Sequence, residues 1–541
     1  MGRFGQAAIV VAVMSLLAGC SSVPPGAEPD VGDPDAAAAE ARPPGEIPAD
    51  CEVDAAAPKR QMRGVWLTTV RNIDWPSEDD LSEGQQKKEL IEQLDRARDL
   101  GLNAVFFHAR PTADAVYRSD KEPWARYLTG TQGGDPGYDP LEFATTEAHK
   151  RGLELHAWFN PYRVGWNDPD LENLAEDHPL SEHPDWLITY DDQGWMDPGN
   201  PEVRAWVSDV VLDVVDRYDI DGVHFDDYFY PYPDEDGSDF GDDTSWKKYR
   251  GDFTDRADWR RDNVNQLISE IHNRIERRKP WVRFGVSPFG IWRNERTDPT
   301  GSATKGLESY DAQYADTRAW IQEGTIDYIA PQVYWPQGFD AADYATLVPW
   351  WAEQVAGTGV DLYIGQAAYK VGDDGWKGSD ALSRQLDFNT DYPEVTGDVY
   401  FSMKSLNDVA DDAIDKVAAE YYRRPALPPR ATGDAAAPEP VTGLEAARSE
   451  EGVRLVWDTT GGARFHAIYR VPDNGAEDLC ALADGTHLLA VVGGNATEGR
   501  QAFTDADPAD GPVRYYVTAL DDYRAESAPS PAARVDAGEG G

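Results

Sequence analysis

The most chemically suggestive part of the chain is a short apolar run that ends in two adjacent carboxylates. Residues 221–228 read DGVHFDDY, and residues 229–232 (FYPY) continue as an aromatic turn. Enzymes built on βα barrels place their acids at the carboxyl ends of strands in this way. Carboxylates can act on a glycosidic bond, and flat rings pack against sugar faces. The segment therefore predicts a carbohydrate-cleaving site, with helix capping by the two acids as the alternative.

The alternation of side chains along a strand ranks the two acids. His224 and Asp226 share one face, and Phe225 and Asp227 share the other. Asp226 is the first catalytic candidate, because inward-facing residues at the top of a barrel strand enter the pocket. Asp227 can join it only if the strand ends there, which the following proline-containing turn favours. We predict that Asp226 and Asp227 are the catalytic acids.

Polar and aromatic groups also follow other predicted strands, in the sequences HARP, WFNPYR, SPFGIWR, PQVYW and QAAYK. Each group alone is compatible with core packing or with a helix cap. Their recurrence at successive strand ends favours a cleft lined by stacking rings and hydrogen-bonding groups. The predicted substrate contacts are Arg110, Asn160, Tyr162, Arg163, His224, Tyr228, Trp292, Gln332, Tyr334, Trp335 and Tyr369.

The elements that must position these residues alternate between apolar strands and amphipathic helices. Eight such repeats predict an α/β fold, a (β/α)8 TIM barrel over residues 60–424. A doubly wound open sheet is the alternative, weakened because no glycine-rich phosphate turn follows the first strand. The predicted strands are 62–70, 103–109, 153–159, 220–226, 282–287, 326–332, 361–366 and 398–403. The predicted helices lie near 86–100, 139–151, 202–217, 258–279, 311–323, 340–356, 380–389 and 408–422.

The C-terminal part of the chain has a different periodicity. Residues 425–440 are rich in proline and alanine and read as a linker, and short β runs fill residues 441–541. This pattern predicts a smaller all-β sandwich. The order of an early Trp457, a central Tyr469-Arg470 pair and a late 515–517 (YYV) run resembles a fibronectin type III module. We expect a spacer role for this domain in preference to a glycan-binding role.

The N-terminus reads as a secretory signal over residues 1–20. Its end, 17–20 (LAGC), resembles the bacterial lipobox, which implies cleavage before Cys20 and lipid on the thiol of Cys20. An ordinary secretory peptide is the alternative. Residues 21–59 are rich in proline, alanine, glycine and acid and read as a disordered tether. The protein is thus expected on the extracytoplasmic side of a bacterial membrane, where Cys51 and Cys480 are free either to pair or to stay reduced.

Composition narrows the set of partners. A net charge of −48 over 541 residues disfavours nucleic acid and anionic lipid surfaces. No strand carries a His-x-His pair, so we expect no catalytic metal and no cofactor. The expected partners are a polysaccharide substrate and, through Cys20, a membrane.

Several motifs in order resemble one known family. They are RGVWLT at 63–68, FHARP at 107–111, WFNPYR at 158–163, DGVHFDDYFYP at 221–231, SPFGIWR at 287–293 and IAPQVYW at 329–335. Through the whole barrel they resemble the glycosyl hydrolase-like 10 family of bacterial lipoproteins. The resemblance implies a barrel glycosidase. Since one branch of the family cuts peptidoglycan glycan strands that lack stem peptides, the resemblance also implies these strands as the substrate. Another polysaccharide, such as an exopolysaccharide, and a non-catalytic glycan-binding role are the alternatives.

Two mechanisms fit the sequence. In a two-carboxylate scheme the second acid would come from Glu295, Glu308 or Asp311, which follow the fifth predicted strand. In a substrate-assisted scheme one of the two adjacent aspartates orients a 2-acetamido group as internal nucleophile, and the other protonates the leaving oxygen.

Overall fold

A computed structural model describes residues 47, 51–166, 171–433, 436–458, 461–475, 479–494 and 499–537. Cys20, the signal segment and most of the predicted tether lie outside these residues, and their expected roles stay predictions. Within the described ranges, no helix is both long enough and apolar enough to cross a membrane.

Eight parallel strands close into a barrel, which confirms the predicted (β/α)8 fold. Their order around the barrel is β1-β2-β3-β7-β8-β9-β10-β11. Most are short and buried on both faces, as strands of a barrel covered by helices must be. The strands of this region are β1 (Met62–Leu67), β2 (Ala104–Arg110), β3 (Glu154–Phe159), β4 (Arg163–Gly165), β5 (Leu187–Tyr190), β6 (Gln193–Met196), β7 (Gly222–Phe225), β8 (Arg283–Val286), β9 (Tyr328–Ile329), β10 (Asp361–Gln366) and β11 (Val395–Tyr400).

The helices surround the barrel close to their predicted positions. Asn200 caps one of them by accepting a hydrogen bond from the backbone N–H of Glu202. The predicted helix 311–323 is instead two short helices, and Tyr314 between them has a left-handed φ of 56°. The α-helices are Glu83–Asp99, Pro140–Lys150, Pro179–Glu182, Pro201–Arg217, Asp243–Tyr249, Arg256–Glu276, Ser309–Ala312, Thr317–Glu323, Tyr344–Val355, Ser383–Asn389, Met403–Asn407 and Asp411–Glu420.

Strand register brings the key strand ends to one level. Phe159 of β3 pairs with Phe225 of β7, which pairs in turn with Val286 of β8. The next residue of each strand is therefore Asn160, Asp226 or Ser287, at the same height on the carboxyl face of the barrel. The predicted loop 160–200 also carries a small antiparallel sheet in the order β4-β6-β5, beside this edge.

The C-terminal region forms two antiparallel sheets, which confirms the predicted all-β sandwich and is consistent with the fibronectin type III resemblance. The sheets have the orders β12-β13-β16 and β15-β14-β17-β18, with Trp457 fully buried. A disulfide joins Cys51, ahead of the barrel, to Cys480 in this region. The strands are β12 (Glu445–Ser449), β13 (Gly452–Asp458), β14 (Phe465–Pro472), β15 (Leu488–Gly493), β16 (Arg500–Asp505), β17 (Val513–Leu520) and β18 (Ala533–Val535).

The C-terminal region is anchored to the barrel by buried charges. The guanidinium of Arg524 reaches the carboxylates of Glu154 and Asp221 at the amino ends of β3 and β7, and all three side chains are buried. Arg464 adds ion pairs to Asp219 at 2.6 Å and to Asp221 at 3.2 Å. Burial opposes ionisation of Asp221, but Arg464, His149 and Arg524 outweigh it and hold its pKa well below the usual range. The two regions are therefore joined through the end of the barrel opposite the predicted site.

Candidate active site

A cavity of about 290 Å³ opens at the carboxyl ends of the barrel strands. Asp226 and Asp227 follow β7 directly, and both line the cavity while being only 4% and 3% exposed. The remaining wall is largely aromatic or hydrogen-bonding in character. Besides the two acids, the lining residues are Trp66, Thr68, Val70, Ile73, His108, Trp158, Asn160, Arg163, Trp166, Tyr228, Ser287, Gln332, Tyr334, Tyr369 and Phe401.

Asp226 is the acid that keeps its proton. Burial, and then the neighbouring Asp227, raise the pKa of Asp226 well above its ordinary value. The charge of Arg163 and the backbone N–H of Tyr228, which donates to Asp226 Oδ1 at 3.2 Å, offset this only in part. At neutral pH Asp226 is therefore suited to act as a general acid.

The ionised form of Asp227 is stabilised by more side-chain hydrogen bonds than that of Asp226. Burial raises its pKa as well, but the hydroxyl of Tyr232 donates a hydrogen bond to Asp227 Oδ2, and the Gln332 amide also favours the ionised form. Gln332 is itself held by its Nε2, which donates to the Ser287 carbonyl oxygen at 2.9 Å. The two adjacent carboxyls therefore differ in environment, and Asp227 is the one that ionises first.

Arg163 provides a positive charge in the cavity wall. It lies on β4, is 2% exposed, and places its guanidinium carbon 3.6 Å from the ring centre of Trp166 and 3.7 Å from that of Tyr228. The third strand of the barrel ends just before it, and the small sheet fixes its backbone by pairing Arg163 with Trp195. Two aromatic rings therefore hold the plane of the guanidinium in place.

His108 presents a defined tautomer. The Asn160 amide nitrogen contacts the Pro111 carbonyl oxygen at 3.2 Å, which only accepts, so this nitrogen also donates to His108 Nε2 at 3.2 Å. Burial, with the charge of Arg163, lowers the pKa of His108 well below its usual value, so the ring is neutral. The proton of His108 is then on Nδ1, which is buried without a partner among the described residues, as is Asn160 Oδ1. Two residues of the cavity wall therefore each keep one unsatisfied polar atom, a donor on His108 and an acceptor on Asn160.

A chain of buried hydrogen bonds supports the floor of the site from below. The Trp66 indole N–H donates to His224 Nε2 at 3.2 Å, and His224 Nδ1 lies 3.2 Å from the Tyr328 hydroxyl. That hydroxyl is 3.0 Å from His156 Nδ1, and His156 Nε2 is 3.1 Å from Glu154. Burial lowers the pKa of His224 well below its usual value, so this imidazole is neutral. Because its Nε2 accepts from Trp66, the neutral ring of His224 donates from Nδ1 to the Tyr328 hydroxyl.

The structure brings together only some of the predicted substrate contacts. Those that line the cavity are Asn160, Arg163, Tyr228, Gln332, Tyr334 and Tyr369. Among them Tyr369 is the most open, with 43% of its surface exposed. This placement is what a ring at the mouth of a sugar site requires.

Five predicted contacts lie outside the cavity, and each has a structural role instead. Arg110 is fully buried in a two-point ion pair with Glu122. Tyr162 is in the core, and His224 belongs to the hydrogen-bond chain under the floor. Trp292 packs against Trp350, and Trp335 packs edge-on against Phe289. A position just after a strand does not by itself predict a cavity residue, because alternate residues at a strand end point away from the barrel axis.

Other cavity residues were not predicted. Trp66 is near the end of the first strand, Thr68 follows that strand, and Phe401 follows the last one. Trp158 shares a strand face with Asn160. Applying the alternation rule to the first and eighth strands would have found the first three. The full set of unpredicted lining residues is Trp66, Thr68, Val70, Ile73, His108, Trp158, Trp166, Ser287 and Phe401.

The alternative acids after the fifth barrel strand are placed elsewhere. Glu308 accepts hydrogen bonds from the backbone and side chain of Asn294. Asp311 is paired with Arg293, and Glu295 is exposed. Among the described residues that line the cavity, the carboxylates are those of Asp226 and Asp227.

A (β/α)8 barrel whose carboxyl face holds paired acids among aromatic rings has the architecture of a glycoside hydrolase. Residues 61–380 match the family model Glycosyl hydrolase-like 10, and the chain belongs to this family. The prediction of the family and of a glycosidase is thereby confirmed.

Known proteins resemble the chain over most of its length. Glycosyl hydrolase YngK of Bacillus subtilis (strain 168) is 45% identical over 480 residues, which cover 86% of this chain and 92% of that protein. Glycosyl hydrolase DigH of Escherichia coli (strain K12) is 43% identical over 423 residues, covering 74% and 93%. Among solved structures, the PgaB (BpsB) glycoside hydrolase domain from Bordetella bronchiseptica aligns at 14% identity with a TM-score of 0.44, covering 67% of this chain and 99% of that one.

Proposed function

We propose that this glycosidase is lipid-anchored on the extracytoplasmic side of a bacterial membrane and cleaves peptidoglycan glycan strands that lack stem peptides. The observation that carries the proposal is the buried pair Asp226–Asp227 on the floor of an aromatic-lined cavity. The family resemblance and the lipobox at Cys20 supply the substrate class and the location.

The adjacency of the acids favours a substrate-assisted reaction. Asp226, which keeps its proton, donates it to the leaving glycosidic oxygen as the bond to the anomeric carbon breaks. The carbonyl oxygen of the substrate's 2-acetamido group attacks that carbon, while ionised Asp227 accepts a hydrogen bond from the acetamido N–H. Water then adds to the anomeric carbon and returns a proton to Asp226, which regenerates the acetamido group with retained configuration.

The aromatic wall supports binding of a hexosamine. Tyr334, Phe401 and the exposed Tyr369 all line the cavity, and their ring centres lie 5.8 to 6.3 Å apart in pairs. Rings arranged in this way offer apolar faces to the C–H side of a sugar. The free His108 Nδ1–H and Asn160 Oδ1 supply a donor and an acceptor for hydroxyl or acetamido groups.

The test of the substrate is digestion of defined polymers by the purified protein. Glycan strands stripped of stem peptides, intact peptidoglycan and an acetamido-sugar exopolysaccharide are incubated separately, and the products are identified by mass spectrometry. We expect soluble fragments with new reducing ends from the stripped strands. Cleavage of the exopolysaccharide alone would reassign the substrate, and binding without products would make the protein a glycan-binding lipoprotein.

The anchor is tested apart from the chemistry. Cells that express the protein are fed a clickable fatty acid, and the wild type is compared with Cys20→Ser. We expect label and membrane fractionation only for the wild type. Unlabelled wild-type protein released from the membrane would overturn the anchor and leave the hydrolase proposal intact.

A further inference from the structure

We propose that Arg163 forms a carboxylate subsite, and that its ligand is the free lactyl carboxylate of an N-acetylmuramic acid unit. This inference rests on the proposed function and makes it more specific. It explains why the absence of the stem peptide would be a requirement, since the peptide is attached through that carboxyl group.

The first observation is a buried cation that no carboxylate of the described residues pairs with directly. Arg163 is 2% exposed and lines the cavity, and its Nε is buried without a hydrogen-bond partner among the described residues. No described carboxylate forms an ion pair with it; Arg110 at the end of β2, which is also buried, is by contrast paired with Glu122. The charge of Arg163 favours the ionised forms of Asp226 and Asp227, which share the cavity, but neither forms a direct ion pair with it. A ligand that brings a negative charge would supply that direct pair and compensate the burial of the guanidinium.

The second observation is the orientation of the guanidinium. Trp166 and Tyr228 lie against its carbon at 3.6 and 3.7 Å from their ring centres, and because their ring planes are 75° apart they pack against it from two different directions. The two rings restrict how the guanidinium can turn, and its unpartnered Nε lies on the N–H edge. Two parallel N–H bonds from such an edge match the geometry of a carboxylate. A lysine ammonium could not provide this planar fork.

The third observation concerns charge and space. The whole chain carries a net charge of −48, so an anionic glycan would approach against repulsion unless a local cation attracted it. The cavity volume of about 290 Å³ is at the small end of the range for ligand sites. A sugar and its lactyl group match this scale, whereas an attached peptide would add bulk and convert the carboxylate into a neutral amide.

The experiment uses two substrates that differ only at this group. Peptide-free glycan strands are used with free lactyl carboxylates or after conversion of these groups to methylamides. We expect the wild type to have about 10- to 100-fold higher kcat/KM on the free form, the loss that follows removal of a charge-assisted hydrogen bond. Equal rates on both forms would overturn the subsite while leaving the hydrolase proposal in place.

Variants separate recognition from a general effect on the aspartates. Arg163→Gln should bring the ratio of the two kcat/KM values close to one, mainly by raising KM for the free form. Arg163→Lys, which keeps the charge without the fork, should give an intermediate ratio. The control Arg293→Gln removes a cation on the same face that is paired with Asp311 outside the cavity, and should leave the ratio unchanged. Equal slowing of both substrates by Arg163→Gln would mean that Arg163 only tunes the aspartates.

A binding measurement covers the case in which neither strand is cleaved. Calorimetric titration of Asp226→Asn with short glycan oligomers, free or methylamidated, reports on the subsite without turnover. Preference for the free form that is lost in the Asp226→Asn, Arg163→Gln double variant would support the subsite even if hydrolysis fails. Equal affinity for both forms would overturn it. Thermal denaturation monitors folding, and Arg163→Lys carries the comparison if the glutamine variant does not fold.

Discussion

At the scale of single residues, the central feature is that two neighbouring aspartates occupy different electrostatic environments. Asp226 is destabilised as an anion by burial and by Asp227, whereas Asp227 receives a hydrogen bond from Tyr232. A reaction that needs Asp226 protonated and Asp227 ionised has a bell-shaped pH–rate profile, with its acidic limb set by Asp227 and its basic limb by Asp226.

Two substitutions should move these limbs in predictable directions. Tyr232→Phe removes a hydrogen bond that favours ionised Asp227, so the pKa of Asp227 and the acidic limb should both rise. Asp227→Asn removes the charge that raises the pKa of Asp226, so the pKa of Asp226 should fall. Profiles of kcat/KM check the first expectation, and carboxyl titration by carbon NMR checks the second. An unmoved acidic limb in Tyr232→Phe would contradict the assignment.

Asp226→Asn should lower activity and, at neutral pH, raise stability relative to the wild type. Loss of the general acid should lower kcat by about 10²- to 10⁴-fold on the stripped glycan. Since folding raises the pKa of Asp226, its contribution to stability is largest below the carboxyl's unfolded pKa and falls as pH rises towards the folded value. The stability of the variant relative to wild type should therefore increase with pH above about 4. Thermal denaturation across a pH series measures this, and near-normal turnover would remove Asp226 from the mechanism.

At the scale of elements, glycines in the barrel strands make room for the large side chains of the interior. A Cβ on Gly285 would lie 2.3 Å from a ring carbon of Tyr328, and one on Gly222 would lie 2.3 Å from His156 Nδ1. Tyr328 and His156 are both fully buried and belong to the hydrogen-bond chain under the site. Glycines on β7 and β8 therefore leave the space that the large polar side chains of the neighbouring strands β3 and β9 occupy.

Gly285→Ala should consequently destabilise the protein. The Tyr328 ring has no solvent-exposed position to move into, and overpacking of this kind costs about 1–3 kcal/mol in the free energy of unfolding. The matched control is Gly84→Ala in the helix Glu83–Asp99, where an added Cβ meets nothing within 4 Å and no loss is expected. Denaturant unfolding of both variants tests the difference, and equal stability would mean that the interior can repack.

The sequence predicted elements well where the pattern was long and poorly where it was short. All eight barrel strands were found because continuous apolar runs such as 104–109 alternate with amphipathic helices. The three- and four-residue strands β4 to β6 were missed, because so few residues carry no readable alternation. The candidate catalytic pair, Asp226 and Asp227, was chosen from the end of a single strand, and both side chains line the cavity. The wall of the site was predicted less completely, because it depends on which side of each strand end faces the barrel axis.

At the scale of the whole molecule, the barrel and the C-terminal sandwich share buried charges. Arg524→Met should leave Glu154 and Asp221 buried with part of their compensation lost, at a cost of about 3–5 kcal/mol in unfolding free energy. The control Arg500→Met removes a partly exposed cation of the sandwich and should have little effect. Calorimetry should show a lower and broader transition for Arg524→Met only. An unchanged transition would mean that the sandwich stabilises the barrel by other contacts.

The disulfide between Cys51 and Cys480 determines which domain would bear a pulling force applied to the N-terminal part of the chain. A load applied to the chain ahead of Cys51 passes across the sulfur bridge into the β-sandwich before it reaches Met62, the first residue of the barrel. The strand that begins the barrel is therefore shielded from peeling. The resistance to such a load would come from the domain that is farthest along the chain from Cys51.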